Sequence, residues 1–118
     1  MSYRLEHVAV QCTNLEKSID FYRQLFGGTP TEIRTGSTGY RFCFVKINGE
    51  FAIQLMESKD QTGVHHYGFI TDDLDQVAQG FREKGAEIVR ENRGTDGTLT
   101  NVFLKDPNGL EVEVRMPR

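Results

Sequence analysis

The chain opens with an alternating segment that is followed by an amphipathic one. From Leu5 to Cys12, apolar and polar side chains alternate, which predicts a β-strand with one buried face. Between positions 14 and 26, apolar side chains recur mostly at spacings of three and four residues, which predicts a helix. Thr13-Asn14 supplies its N-cap, and Gly27-Gly28 ends it. The chain therefore begins with a strand and a helix.

Three further segments of the first half have strand character. Residues 40–47 and 51–56 are rich in aromatic and β-branched side chains, and Asn48-Gly49 between them is a strong hairpin signal. The polar segment 31–36 is predicted to be an edge strand. Residues 58–63 then form a polar linker that is too short to separate two independently folding domains.

The second half repeats the order of the first. A helix capped by Asp72 or Asp73 follows its first strand, and Gly85 ends this helix. The predicted strands of this half are 64–71, 87–90, 99–105 and 110–115, and its helix runs to about residue 84. Each half therefore has the order β-α-β-β-β.

The two halves also share individual side chains. When the sequence is shifted by 59 positions, His7 aligns with His66 and Gln54 aligns with Glu113. Apolar positions align in the same register, Phe44 with Phe103 among them. We therefore predict an α+β fold in one domain, residues 1–118, built from two tandem βαβββ modules at about 1–58 and 64–118. The modules are expected to form a curved, cup-like mixed sheet with the helices on its outer face.

The aligned polar residues share one kind of position in their strands. Side chains two residues apart lie on the same face of a strand. The apolar neighbours of His7, Gln54, His66 and Glu113 therefore lie on the opposite face, where the helices are expected to pack. The four polar side chains are then expected to line the concave face together.

These four side chains form a set of nitrogen and oxygen donors. Two imidazoles, a carboxylate and an amide oxygen suit a divalent ion such as Ni, Co, Zn, Mn or Fe with open water positions. Structural zinc sites usually take thiolates. We predict a metal site of His7, Gln54, His66 and Glu113, with Glu113 also as the catalytic base. Gln11 and Arg115 share the faces of these residues and are candidate substrate-binding residues.

Composition narrows the range of partners. The chain has 118 residues, a net charge of −3 and charges of both signs interspersed along it. A nucleic-acid partner is not expected, because the basic residues do not cluster. A membrane partner is not expected either, because no apolar stretch approaches the roughly 18 residues of a membrane span, and no signal peptide is recognised at the N-terminus. A small-molecule substrate is the expected partner.

The two cysteines indicate the kind of cellular compartment in which the protein is expected. Cys12 and Cys43 are too few and too far apart for a disulfide framework or a Cys-x-x-Cys metal site. They are interpreted as small buried hydrophobic residues in a reducing compartment, which predicts a cytoplasmic protein.

Three segments resemble the vicinal oxygen chelate superfamily, and most closely its compact glyoxalase I-like members. Residues 5–22 resemble the family's opening strand and helix, residues 66–75 resemble its second opening, and residues 106–113 resemble its closing turn and metal-binding strand. The likeness extends over essentially the whole chain. It implies metal ligands on the first and last strand of each repeat, the positions of His7, Gln54, His66 and Glu113.

The resemblance also implies a dimer and leaves the reaction open. Family members often dimerise, so a homodimer is expected, with the site formed within one chain or shared between two. Glyoxalase I enzymes usually have Glu at the position of Gln54, whereas a Gln can occupy this position in the family's epimerases.

We therefore expect a metal-dependent isomerase or lyase of glyoxalase I-like type. It would stabilise an enediolate of a small carbonyl or thiol-adduct substrate. Three alternatives stay open at this point: an epimerase similar to methylmalonyl-CoA epimerase, a non-catalytic protein of the bleomycin-resistance type that binds a drug or metabolite, and a dioxygenase or thiol transferase.

Overall fold

The computed structural model describes residues 2–118, which contain two helices and nine strands. By their contacts the described residues fall into two compact units. The first unit is His7–His65. The second unit comprises the described residues up to Glu6 together with His66–Arg118. Strands and helices are both present in each unit, and parallel and antiparallel pairs both occur, so the predicted α+β class with a mixed sheet is confirmed.

The first unit contains α1 and the strands that flank it. Its strand order is β2-β4-β5-β1, with β3 also paired to β4. The β1–β5 pair is parallel, and the other pairs of this unit are antiparallel. The elements are β1 Tyr3–Cys12, which enters this unit at His7, α1 Leu15–Phe26, β2 Thr29–Pro30, β3 Arg34–Thr35, β4 Arg41–Ile47 and β5 Glu50–Glu57.

Helix α1 is fixed at both ends by the signals seen in the sequence. The Asn14 side chain accepts a hydrogen bond from the backbone N–H of Lys17 at 3.0 Å, as an N-cap does. Gly27 ends the helix with a φ of 64°, which glycine adopts at little cost. Leu15 and Ile19 of the helix pack against Cys12, Cys43, Val45 and Leu55 of the strands, and this cluster is the core of the first unit.

The predicted edge strand at 31–36 is confirmed at Arg34–Thr35, where β3 pairs with β4, whereas residues 31–33 lie outside any strand. The reason lies at Thr31. Its backbone N–H donates to the carbonyl of Phe44 at 2.7 Å, but its hydroxyl oxygen accepts the N–H of Phe44 at 2.9 Å. A side chain has thus replaced the backbone carbonyl in the ladder, and regular pairing stops there.

The second unit repeats the predicted β-α-β-β-β order. Strand β6 pairs in parallel with β9, which pairs antiparallel with β8, and β8 pairs antiparallel with β7. Helix α2 is capped by Asp73 and packs its Leu74, Val77 and Ala78 against the strands. The elements are β6 Gly63–Thr71, which enters this unit at His66, α2 Leu74–Glu83, β7 Ile88–Arg93, β8 Leu99–Lys105 and β9 Glu111–Arg115.

Within residues 2–118, neither helix has the length and apolar character needed to cross a membrane. The prediction that residues 1–118 form a single domain with modules at about 1–58 and 64–118 stays a prediction.

Candidate functional site

In the second unit, His66 and Glu113 form a buried pair on the sheet face opposite helix α2. The neighbour of Glu113 along β9, Val114, packs into the core under α2, so Glu113 points to the other face. His66 is 5% exposed and Glu113 is 5% exposed. The Nε2 atom of His66 lies 3.9 Å from Oε1 of Glu113. That distance exceeds a direct hydrogen bond, but two ligands of one ion, each at about 2.0–2.2 Å from it, can be that far apart.

The second oxygen of Glu113 has its own partners. The side-chain amide of Asn101 on β8 donates from Nδ2 to Oε2 of Glu113 at 2.8 Å. Nη1 of Arg115, two residues along β9, lies 3.7 Å from the same oxygen. In the β8–β9 register, Asn101 stands opposite Arg115, and Phe103 stands opposite Glu113. The two carboxylate oxygens therefore have different neighbours.

An aromatic ring accompanies this pair. Phe103 meets the His66 imidazole edge to face, with ring centroids 6.0 Å apart and planes at 74°. On the same ring, the guanidinium of Arg90 lies 3.9 Å from the centroid, a cation–π contact. Arg90 also reaches Glu111, with Nη2 3.8 Å from Oε1. Phe103 thus limits the room in which the imidazole can turn.

In the first unit, His7 and Gln54 occupy the corresponding positions. His7 is 1% exposed and Gln54 is 9% exposed. Ala9, which shares the face of His7, pairs in register with Gln54. The helix-facing side of these strands is formed by Val10, Cys12 and Leu55, so His7 and Gln54 lie on the face opposite α1.

The aromatic companion is repeated as well. Phe44 meets the His7 imidazole edge to face, with centroids 5.4 Å apart and planes at 89°, and pairs in register with Gln54. The shift of 59 positions that aligns His7 with His66 also aligns Phe44 with Phe103. Each unit therefore presents the same triplet of an imidazole, a phenyl ring and an oxygen donor. The prediction that the helices lie opposite the four polar side chains holds in each unit taken by itself.

Gln11 lies at the edge of a groove in the first unit. It pairs in register with Met56, and both residues line an open cavity of about 700 Å³. His65 is half-buried and lines the same groove. Cationic lining is provided by Lys59 and Arg41. The sequence-predicted substrate role of Gln11 stays a prediction, and this groove is where its side chain lies.

The six predicted site residues are therefore placed as follows. His66, Glu113 and Arg115 lie together in the second unit, and Arg115 is held against Glu113. Burial lowers the pKa of Arg115, and the nearby Arg118 acts in the same direction. His7, Gln54 and Gln11 lie on one sheet face of the first unit. The convergence of the four candidate ligands on one ion and the substrate role of Arg115 stay predictions.

Sequence reasoning missed Asn101. The aligned phenylalanines Phe44 and Phe103 carried a signal, because both recur with the candidate ligands in the repeat. Asn101 carried none, because the same shift aligns it with Phe42. Its role becomes visible only from its hydrogen bond to Glu113.

The cysteines take no part in this constellation. Cys12 and Cys43 are both buried and unpaired with each other. Burial raises the pKa of Cys43 to about 11, and it also raises the pKa of Cys12. Both thiols therefore stay protonated near neutral pH, as expected of packing residues and not of nucleophiles.

Several known proteins are similar to this chain in sequence or in fold. The chain is 29% identical over 112 residues to a protein of Bacillus subtilis (strain 168) named "Probable trivalent organoarsenical cleaving enzyme", covering 91% of this chain and 75% of that protein. It is 28% identical over 124 residues to a lactoylglutathione lyase of Escherichia coli O157:H7, covering 94% of this chain and 90% of that protein. It spans 43% of the length of several other curated relatives.

A solved structure with a bound ligand is also similar. A variant of methylmalonyl-CoA epimerase from Streptomyces coelicolor, in complex with 2-nitronate-propionyl-CoA, superposes with a TM-score of 0.76 at 27% identity, covering 96% of each chain. These relatives bear the names of enzymes, in agreement with the expectation that this chain is an enzyme.

The predicted resemblance is confirmed at the level of the family. Residues 4–114 match the model of the family described as the Glyoxalase/Bleomycin resistance protein/Dioxygenase superfamily. The match extends over both units and includes all four candidate ligands, Gln11 and the hydrogen-bonding partner Asn101. The chain belongs to the glyoxalase/bleomycin resistance protein/dioxygenase superfamily.

Proposed function

We propose that the protein is a metal-dependent isomerase or lyase of glyoxalase I-like type, acting on a small carbonyl or thiol-adduct substrate. In this proposal His7, Gln54, His66 and Glu113 hold one divalent cation. His7, His66 and Glu113 are each buried, and each offers one ligand atom to a metal ion. Gln54 is the fourth proposed ligand. It pairs in register with Ala9, which lies two residues from His7 on the same face of β1.

The donor chemistry fits such an ion. Neutral imidazoles, a carboxylate and an amide oxygen favour Ni, Co, Zn, Mn or Fe, and no thiolate is among them. Burial of Glu113 beside the His66 imidazole also fits, because a buried carboxylate is stabilised by a nearby cation. When bound, the cation would supply Lewis-acid polarisation of a substrate oxygen.

The protein's own residues would move the proton. Glu113 is the proposed base, since its carboxylate is held by Asn101 at one oxygen and faces His66 with the other. It would accept a proton from the carbon next to a carbonyl and return it to the neighbouring carbon. Phe44 and Phe103 would exclude water from the two imidazoles. The observation that carries the proposal is the buried His66–Glu113 pair with its oriented carboxylate.

An epimerase is the second candidate, because Gln54 stands where glyoxalase I enzymes usually have Glu. The similarity to the Streptomyces coelicolor epimerase structure supports this reading. Both reactions begin with removal of a proton next to a carbonyl, so Glu113 would serve as the base in either one. An epimerase would also need a proton donor on the opposite face of the substrate. A non-catalytic binding protein or an oxygenase is supported by no observation specific to it. A homodimer and a cytoplasmic location stay predictions.

Metal titration of single-histidine variants tests the proposed site. The chain is stripped with a chelator and titrated calorimetrically with Ni, Co, Zn and Mn in turn. We expect one ion per chain and a loss of affinity of at least about a hundredfold in His7→Ala and in His66→Ala, since each variant lacks a direct ligand. His65→Ala is the matched control, because this neighbouring histidine is outside the proposed ligand set.

The reaction is tested on the loaded protein. Substrates are the hemithioacetal of methylglyoxal with a thiol and methylmalonyl-CoA. Exchange of the substrate proton for solvent deuterium reports the proposed step even where the product equals the substrate. Loss of exchange in Glu113→Gln with metal still bound would support the assigned base. Absence of metal binding in the wild type, or equal loss in His65→Ala and His66→Ala, would contradict the proposed site.

A further inference from the structure

The two oxygens of Glu113 are treated differently by the residues around them. Oε2 accepts a hydrogen bond of 2.8 Å from Asn101, whereas Oε1 lies 3.9 Å from the His66 imidazole. We propose that Asn101 is a positioning residue: its amide holds Oε2 and thereby keeps Oε1 turned towards His66. This inference rests on the proposed function, because it assigns to Oε1 the contact with the metal and substrate.

The physical need for such a residue follows from the glutamate side chain. The last torsion of a glutamate is broad and roughly two-fold, so an untethered carboxylate samples many orientations. A hydrogen bond from an amide to a carboxylate is charge-assisted and stronger than one between neutral groups. Arg115, with Nη1 3.7 Å from Oε2, is beyond hydrogen-bond distance and adds charge without fixing an angle. Of these two contacts, the one from Asn101 is therefore the directional one.

Asn101 is itself placed firmly enough for this task. It lies within β8, between β7 and β9, and its backbone stands in register with Asn92 on one side and Arg115 on the other. Val102, the next residue, is fully buried in the core of the second unit. The amide donor is therefore carried by a strand that is paired on both edges, and its position follows from the sheet.

The first unit differs from the second at the position equivalent to Asn101. It has Phe42 there, which pairs in register with Met56. The residue equivalent to Glu113 there is Gln54, whose amide is uncharged and provides a donor of its own. The amide holder is thus present only in the half of the repeat that has a carboxylate. The occurrence of an amide donor beside the charged Glu113, and of Phe42 in its place in the unit with the uncharged Gln54, is the second observation behind the proposal.

Removal of the amide donor provides the test. In Asn101→Ala and in the nearly isosteric Asn101→Leu, we expect metal affinity to fall about tenfold, as for the loss of other hydrogen-bonding partners of metal ligands. The kcat of the loaded enzyme should fall with little change in KM, because substrate contacts remain. Asn92→Ala is the matched control: it removes the same group from the exposed register partner of Asn101.

The readouts separate positioning from structural damage and from failure of the site. Melting of the metal-free variants reports folding, and metal affinity is measured independently of activity. If the wild type binds metal and both Asn101 variants bind it within twofold of the wild type, the positioning role is wrong while the proposed site survives. A tenfold loss of metal affinity that also appears in Asn92→Ala would likewise overturn the positioning role of Asn101. If the wild type binds no metal, both proposals fall.

Discussion

Gln54 and Glu113 occupy equivalent positions in surroundings that match their different charges. Next to Glu113 are an amide donor and a guanidinium, those of Asn101 and Arg115. At the positions equivalent to Asn101 and Arg115, the first unit instead has the apolar residues Phe42 and Met56, which pair in register with each other. A carboxylate is stabilised in the first setting, whereas the second suits a neutral amide better. The choice of Gln at this position is therefore consistent with its apolar neighbours.

This difference predicts the effect of Gln54→Glu. In metal-free protein the new carboxylate would be 9% exposed or less among apolar neighbours, and we expect it to lower the free energy of unfolding by about 1–3 kcal/mol. With a divalent cation present the added charge should tighten metal binding, so the loss should shrink or reverse. Denaturant unfolding with and without metal measures both effects.

Gln11→Glu is the control for this change, since Gln11 lies on the same face but on the open groove. The stability of Gln11→Glu should depend much less on metal than that of Gln54→Glu. If Gln54→Glu is as stable as the wild type without metal and gains nothing with it, Gln54 is not a metal ligand.

At the scale of the elements, Glu57 connects three of them in the first unit. Its Oε2 accepts the backbone N–H of Leu15 at the start of α1 at 3.2 Å, and its carboxylate pairs with Arg41 at the start of β4. Arg41 also pairs with Glu16 in the first turn of α1. The hydrogen bond from Arg41 and then that from Leu15 hold the pKa of Glu57 below its usual range.

The direction of this pKa shift predicts how stability depends on pH. A carboxylate whose folded pKa lies below the unfolded value contributes stability above the unfolded pKa and loses it as pH falls through the folded one. We therefore expect Glu57→Gln to melt at a lower temperature than the wild type at pH 7. The gap should close as pH falls below about 4.5, the usual pKa of glutamate. Glu50→Gln, at the exposed start of the same strand, should show no such gap. A gap that persists at pH 2 would contradict this account.

The elements themselves could be predicted wherever a local signal decides them. Asn48-Gly49 adopts φ values of 55° and 80°, as a tight hairpin turn requires, and both sequence and structure place the turn there. The interruption at residues 31–33 could not be predicted, because it depends on the hydrogen bond between Thr31 and Phe44, 13 residues away. Local patterns do not contain such bonds.

At the scale of the whole molecule, the repeat made most of the candidate site predictable. His7 and His66 would be unremarkable separately, and only their common offset with Gln54 and Glu113 identifies them. The same reasoning could not find Asn101, because it breaks the repeat. Residues that recur in both halves can be found from the repeat, whereas residues that differ between the halves must be found from their contacts.

The single-domain prediction can be tested by unfolding. Strand β1, Tyr3–Cys12, begins in the second unit and enters the first at His7, so one continuous strand takes part in both. Fraying of that strand would damage both units, and we therefore expect them to unfold together. The chain has no tryptophan but has tyrosines in each unit, including Tyr22 and Tyr67. Fluorotyrosine labelling lets ¹⁹F NMR follow both units in one urea titration.

Coincident midpoints for the resonances of Tyr22 and Tyr67, among the four tyrosines that are labelled, would establish a single cooperative domain. Midpoints that differ by more than about 0.5 M urea would instead mean that the units unfold separately. The titration is repeated with a divalent cation, because ligands contributed by both units should raise both midpoints equally. A cation that raises only the midpoint of Tyr67 would place the metal on His66 and Glu113 alone, and His7 and Gln54 would then not be ligands.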